Sequence, residues 1–482
     1  MHCATIKRSV VLSRTDRLDA GVVPTASAVH TGNLITDFYD EIRELSAATW
    51  QQPVRDDPAR FGVGGALPDL TPAVRQYFEA AEVSWHEVGR YRDHQLMLLN
   101  LARNPGTNTT KTFASLLIVA RAAEFVRQHG EPVVIFSPTS ANKGTALRDA
   151  LARAVACGLV EPEELRVVVL APAANAAKLR TDTLSADSRL AELNPLLTYD
   201  GPVAENVKVL GRRFVDDYAA PLHRRHGRHL WYSLDLDNYL IADVGRALFE
   251  NAVAPVDKAD RHRTHAHAVS SAFGLLGYHF GRDLLERSGK SDPMRRPHSL
   301  LVQHLGTPDM VLHLQHGDFD RNRVPQYRPD PATGEYQQRS DLHFPLRTCH
   351  PGEVLDPTFY TRRPTTANRM TDIIKRYGGS GVVVSGLECR ERYADLTPLL
   401  ADAGFRVPDD PSAVREWSLM MAFTGVLNGI DRGLVDPAHD VVVHGSGWYS
   451  DEDMTPLTEA GMTPVSSADD IFTHVSAGSA SC

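Results

Sequence analysis

Apolar and polar positions recur along this chain in two rhythms. In residues 111–128, Phe113, Leu116, Leu117, Ala120 and Phe125 return at mostly three- and four-residue spacing, which predicts a helix with one apolar stripe. Residues 132–136 then form a short apolar run, predicting a buried strand, followed by a helix over 145–157 and a strand over 165–170. Strand, loop, helix, strand in that order is the signature of a parallel sheet built from βαβ units. Further on the pattern predicts a strand at 206–210, a helix at 237–251, a strand at 265–269 and a helix reaching about 288. The last third reads as helix 371–376, strand 381–385, helices 395–403 and 414–428, and strand 441–443.

Between these elements lie two stretches of different character. Residues 1–70 carry many breakers, among them Pro24, Pro53, Pro58, Gly64, Gly65 and Pro68, and predict an irregular extension holding one helix at about 34–49. A second helix is expected after Thr71, because Pro72 suits a first helical position. Residues 316–368 are rich in Asp, Arg, Pro, Gly and Tyr and predict a long insertion, either disordered or a lid. The resulting division is an extension (1–70), a large domain (71–115 and 206–450, with the insertion), a small α/β domain (116–205) and a tail (451–482).

Composition narrows the class. With 42% hydrophobic and 23% charged residues over 482 positions, the chain has ample material for large cores, and disorder fails as a global description. The formal charge of −9 gives no nucleic-acid footprint, and no apolar run is long enough for a membrane span. No apolar segment follows Lys7 and Arg8, so no signal peptide is expected. The five cysteines are scattered without a close pair, which argues against a disulfide scaffold and a cysteine metal site and for a reducing, cytoplasmic setting.

Three loops carry candidate chemistry. Asn104-Pro105-Gly106-Thr107-Asn108-Thr109-Thr110 leads into Lys111 at a helix start, where the dipole and first-turn amides disfavour an ammonium. A lysine tuned toward the neutral amine suits Schiff-base chemistry; the competing reading is a solvated helix-start lysine. Thr139-Ser140-Ala141-Asn142-Lys143-Gly144 leaves a strand and opens a helix, offering hydroxyls, an amide and free N–H groups to an anion, or merely a helix cap. Val443-His444-Gly445-Ser446-Gly447 is a strand entering a small-residue turn that lets backbone approach a ligand.

In this order the loops resemble the pyridoxal-phosphate (PLP) enzymes of the tryptophan synthase β-like fold, fold type II, and within them the threonine synthase and cysteate synthase group. Lys111 is similar to their Schiff-base lysine, and Thr139-Ser140-Ala141-Asn142-Lys143-Gly144 to their Ser-Ser-Gly-Asn-Thr-Gly block. The resemblance extends to Val167–Pro172 with Lys178, to Ala242–Glu250 and to Pro411-Ser412-Ala413, covering roughly 100–450. It implies an α/β fold of two open, mainly parallel sheets flanked by helices with the cofactor in the cleft between them, and a homodimer. It further implies Asn142 on the cofactor, the substrate carboxylate at Thr139, Ser140, Ala141 and Lys143, and the phosphate at Ser270-Ser271-Ala272-Phe273-Gly274. The partner of the ring nitrogen is Ser446 or His444. Lys178, Arg180 and Lys143 stand where an anionic leaving group would be met.

This sequence also departs from the family pattern. Thr112-Phe113 follows Lys111 in place of Asp-Arg, the phosphate turn has fewer glycines, and His444 stands where the family has a hydroxyl residue. The implied reaction is elimination or replacement at the β- or γ-carbon of an amino acid, with Lys111 as base at the α-carbon and PLP as electron sink. The alternative is a binding or regulatory scaffold that kept the fold and lost the chemistry. A nucleotide-binding enzyme is disfavoured because no GxGxxG or GxxxxGK[ST] run occurs. Two histidine-rich stretches, His223-Arg224-Arg225-His226-Gly227-Arg228-His229 and His262 to His267, read as basic surface or sheet histidines, and no metal site is expected. A small amino-acid substrate is the expected partner, with neither nucleic acid nor membrane.

Overall fold

The computed structural model describes residues 29–201 and 203–477. The first 28 residues of the expected extension, including Cys3, Lys7 and Arg8, and the last five of the expected tail, including Cys482, lie outside the described residues.

Two sheets organise the chain. One is a five-stranded, wholly parallel sheet in the order Thr463–Pro464, Leu196–Tyr199, Leu165–Pro172, Val133–Pro138, His229–Tyr232. Its strands are apolar on both faces because both faces are covered. Val133, Ile135, Val167 and Val169 pack with the helices Lys111–His129 and Ala141–Ala156. Val134, Phe136, Val168 and Leu170 pack with Val207, Phe214, Leu222 and Ile471. The second sheet has seven strands, in the order Val29–Asn33, Glu82–Tyr91, His94–Asn100, His439–Gly445, His262–Ala268, His298–His304, Gly379–Val384. From His94–Asn100 onward it is parallel; the first two strands are antiparallel additions at one edge. The apolar helix Ser418–Asp431 covers one face. The architecture is thus the expected one: two open, mainly parallel sheets flanked by helices.

Several expectations need correction. Residues 206–210 begin the helix Asn206–His226, whose buried Val207, Gly211, Phe214, Val215, Ala219 and Leu222 return at helical spacing; five residues were too short a window to show it. That helix and strand His229–Tyr232 belong to the five-stranded sheet, so residues 206–232 lie outside the large domain. The tail is not separate either, since Thr463–Pro464 pairs with Leu197-Thr198 and Ile471 and Val475 enter the small-sheet core. Residues 414–416 form a strand paired with Tyr449–Ser450, and the helix starts only at Ser418. The 316–368 insertion is ordered: three short antiparallel strands, Arg328–Pro329, Tyr336–Gln337 and Arg347–Thr348, brace it, and buried Phe344 joins it to the core. No helix among the described residues is long and apolar enough to cross a membrane.

Candidate active site

Parallel strands deliver their following loops to one end of a sheet, and in open α/β folds ligands bind there. Here the loops after His94–Asn100, His262–Ala268 and His439–Gly445 of one sheet and after Val133–Pro138 of the other line a single cavity of about 430 Å³. Residues 358–366 of the insertion supply a further wall.

Lys111 is the first residue of its helix, and the loop before it is pinned to the turn after His439–Gly445. Thr110 N donates to Ser446 O at 2.9 Å, Trp448 N donates to Asn108 O at 3.1 Å, and Thr109 and Gly447 form a bridge. The cavity therefore takes Lys111 and Ser446 side by side. Among the described residues the Lys111 amine has no hydrogen-bond or ion-pair partner. Burial lowers its pKa; Asp243 and Glu416 oppose that and Arg246 reinforces it.

Across the cavity, Thr139, Ser140, Asn142 and Lys143 line the wall, while Ala141 is buried and does not. Asn142 is held on both sides: its Nδ2 donates to Glu416 Oε2 at 2.6 Å and its Oδ1 accepts from Tyr449 OH at 2.6 Å. Lys143 donates to Ser233 O at 3.1 Å and lies 5.0 Å from the Tyr239 ring, with no carboxylate partner among the described residues. Burial, with the neighbouring Lys111 charge, pushes its pKa far down.

Ser270, Ser271, Ala272, Phe273 and Gly274 all line the cavity, at the start of the helix Phe273–Arg287. Ala272 adopts a left-handed φ of 53°, which turns the chain so that the first-turn amides open onto the cavity. Gly274 is needed there because a Cβ would lie 2.5 Å from Arg246 Nη1. Arg246 is buried, paired with Asp243 at 2.6 Å and donating to Thr110 Oγ1 at 2.8 Å.

Lys178 and Arg180 do not line the cavity, which corrects their expected role toward an anionic leaving group. Lys178 is claimed by two carboxylates, Asp356 at 2.6 Å and Glu416 at 2.9 Å, which outweigh burial and raise its pKa. Arg180 donates to the carbonyls of Gly106 and Thr107 and to Asn108 Oδ1. The basic side chains that do reach the cavity are Lys111, Lys143, Lys208, Arg246, Arg362 and Arg363, against Glu205 and Glu416.

The histidine stretch 262–267 forms the strand His262–Ala268, as the sheet reading expects. His265 and His267 share one face of their strand, as alternation requires, but that face is buried at the site. His267 and His444 line the cavity and their rings lie 4.0 Å apart. Spacing indicates a shared face and cannot indicate its depth. The other stretch is structural at His229, which stacks on Phe61 and bonds Glu131 at 2.7 Å.

Residues 30–479 match the model of a family of unknown function, DUF6002. Among curated proteins no match was found. Threonine synthase from Escherichia coli superposes with a TM-score of 0.50 at 14% identity, covering 79% of this chain and 77% of that one. Threonine synthase from yeast gives 0.50 at 10% identity, covering 90% and 84%. At such identities the likeness is one of fold, and the fold is that of the type II pyridoxal-phosphate enzymes.

Proposed function

The chain belongs to the DUF6002 family, and we propose that it is a PLP-dependent enzyme acting on an amino acid, by elimination or replacement at the β- or γ-carbon in the manner of threonine synthase and cysteate synthase. The observation that carries this reading is the Lys111 amine, half-buried and without a hydrogen-bond partner among the described residues, in a cavity that also holds the Ser270–Gly274 turn. PLP needs one amine for its aldehyde and one cradle for its phosphate. The donor set fits both: the pKa of Lys111 is lowered, and the helix start at Phe273 presents amides together with two serine hydroxyls.

When bound, PLP supplies an electron sink for charge developing at the substrate α-carbon. The protein supplies the rest. Lys111 would hold the cofactor and would take the substrate α-proton, a role that suits an amine whose pKa burial lowers. Thr139, Ser140 and the amides of their helix start hold the substrate carboxylate. Asn142 would hold the cofactor, and Glu416 and Tyr449 fix its amide so that it cannot rotate away. Lys143, lacking a carboxylate among the described residues, takes a second anionic group on the substrate or leaving group. The exposed Arg362 and Arg363 draw such a substrate to the cavity mouth.

Reconstitution tests the reading. Purified protein given PLP is expected to turn yellow, and Lys111→Ala to stay colourless. A wild-type protein that remains colourless and retains no PLP on gel filtration overturns the enzyme reading and leaves the binding or regulatory scaffold.

A further inference from the structure

Beneath the cavity wall lies a polar chain that the reading above does not use. His444 Nε2 is 2.9 Å from His265 Nδ1, and His265 Nε2 is 3.3 Å from Glu250 Oε1. Glu250 also accepts from Tyr278 OH at 2.6 Å and from Arg263 Nη1 at 2.7 Å. Glu250, His265 and Tyr278 are fully buried and His444 is 1% exposed, so the order of protons is dictated by pairing alone.

That order can be worked out link by link. Burial alone would neutralise Glu250, but the hydrogen bonds from His265 and Tyr278 and the charge of Arg263 outweigh it and hold the carboxyl ionised, an acceptor only. His265 must then donate from Nε2, and being neutral it has Nδ1 left as an acceptor. His444 must donate to that atom from Nε2, which leaves its own Nδ1 as an acceptor. The remaining neighbour of Nδ1 is consistent, because Arg246 Nη1, a donor, stands 3.4 Å away. At that length the contact is weak, so Nδ1 keeps capacity for a better donor. The charges around His444 are balanced in pairs, Arg246 with Asp243 and Arg263 with Glu250. The other groups facing it are neutral: His267, His265 and His279, all with lowered pKa, and the Tyr278 ring.

A second observation points to a ligand on this wall. His267 is 3% exposed, lines the cavity beside His444, and neither of its ring nitrogens has a hydrogen-bond partner among the described residues. A buried imidazole without partners is costly, and a bound group with polar edges would relieve it.

We propose that Glu250, acting through His265, holds His444 with Nδ1 as a proton acceptor at the cavity wall, and that this wall takes the cofactor ring nitrogen in its protonated, N–H-donating form. This rests on the PLP reading. Glu250 and His265 are positioning residues; His444 touches the ring. A protonated ring withdraws electrons more strongly than one facing a neutral hydroxyl, which favours reactions that place a full negative charge at the α-carbon.

The test uses 4′-deoxypyridoxine 5′-phosphate, which lacks the aldehyde and whose ultraviolet spectrum distinguishes a protonated from an unprotonated ring. Bound to the wild-type protein, it is expected to keep its ring proton at least about one pH unit above the free compound. Glu250→Gln is expected to bring that titration down by about one unit, a tenfold change in the protonation equilibrium. His444→Thr, which leaves the buried pair in place, is expected to do the same and guards against misfolding of the Glu250 variant. Equal titrations in wild type and both variants would overturn the proposal while leaving the cofactor reading intact if PLP still colours the protein. No binding of the probe to wild type, together with no colour from PLP, would overturn both.

Discussion

Replacing Lys178 by Met tests how the site is held together. Its ammonium lies between Asp356 at 2.6 Å and Glu416 at 2.9 Å, and both carboxylates are 1% exposed. Asp356 anchors the start of the 358–366 cavity wall by accepting from Thr358 N and Oγ1, and Glu416 orients Asn142. Removing the cation leaves two buried like charges facing each other, with only neutral donors among the described residues: Thr358, Asn142 and the amides of Trp417 and Ser418. Breaking a buried ion pair by deleting one partner costs ~3–5 kcal/mol. With a urea dependence of ~3 kcal/mol/M, the unfolding midpoint should fall by about 1 M or more. The assay is urea unfolding followed by tryptophan fluorescence, with Lys178→Met beside the triple variant that adds Asp356→Asn and Glu416→Gln. The triple variant carries no unpaired charge and should recover part of the loss. An unchanged midpoint in Lys178→Met would refute the reasoning, because it would mean that the two carboxylates are hydrated or far apart.

Two further outcomes are expected. Lys143→Met should weaken binding of O-phosphoserine to the PLP-loaded protein by about tenfold to a hundredfold, the ~1.5–3 kcal/mol of a hydrogen bond to a charged group; titration by visible absorbance checks this, and equal affinity would remove Lys143 from the substrate. Stability should fall as pH drops from about 6.5 toward about 4, because burial lowers the pKa of His86, His304 and His439 from 6.5 to about 4. In that window the unfolded chain binds protons that the folded chain refuses, so acid favours unfolding. Thermal melts across that range should show the midpoint rising with pH; a flat profile would contradict the burial of these rings.

Much of this arrangement is legible in the sequence, for identifiable reasons. The Lys111, Thr139–Gly144 and Ser270–Gly274 loops each follow a strand and open a helix, and a parallel sheet sends such loops to one end. Elements whose pattern depends on tertiary cover are harder to read. The hairpin Glu82–Tyr91 and His94–Asn100 is mostly buried, yet Ser84, His86, His94 and Asn100 stand among its buried residues and break the apolar pattern. Residues 414–416, Val-Arg-Glu, run on into the next helix without a breaker, yet pairing with Tyr449–Ser450 makes them a strand. Lys178 shows best what one dimension conceals, since the carboxylates that neutralise it lie at positions 356 and 416. The polar chain from His444 to Glu250 is hidden likewise, because its members come from three separate strands and helices.

The central claim is that Lys111 is the amine that holds the cofactor, and one measurement addresses it most directly. The PLP-loaded protein is reduced with borohydride, digested and mapped by mass spectrometry. The account predicts a pyridoxyl group on the peptide containing Lys111. The group on Lys143, the buried amine of the same cavity, or on no lysine at all, would contradict it.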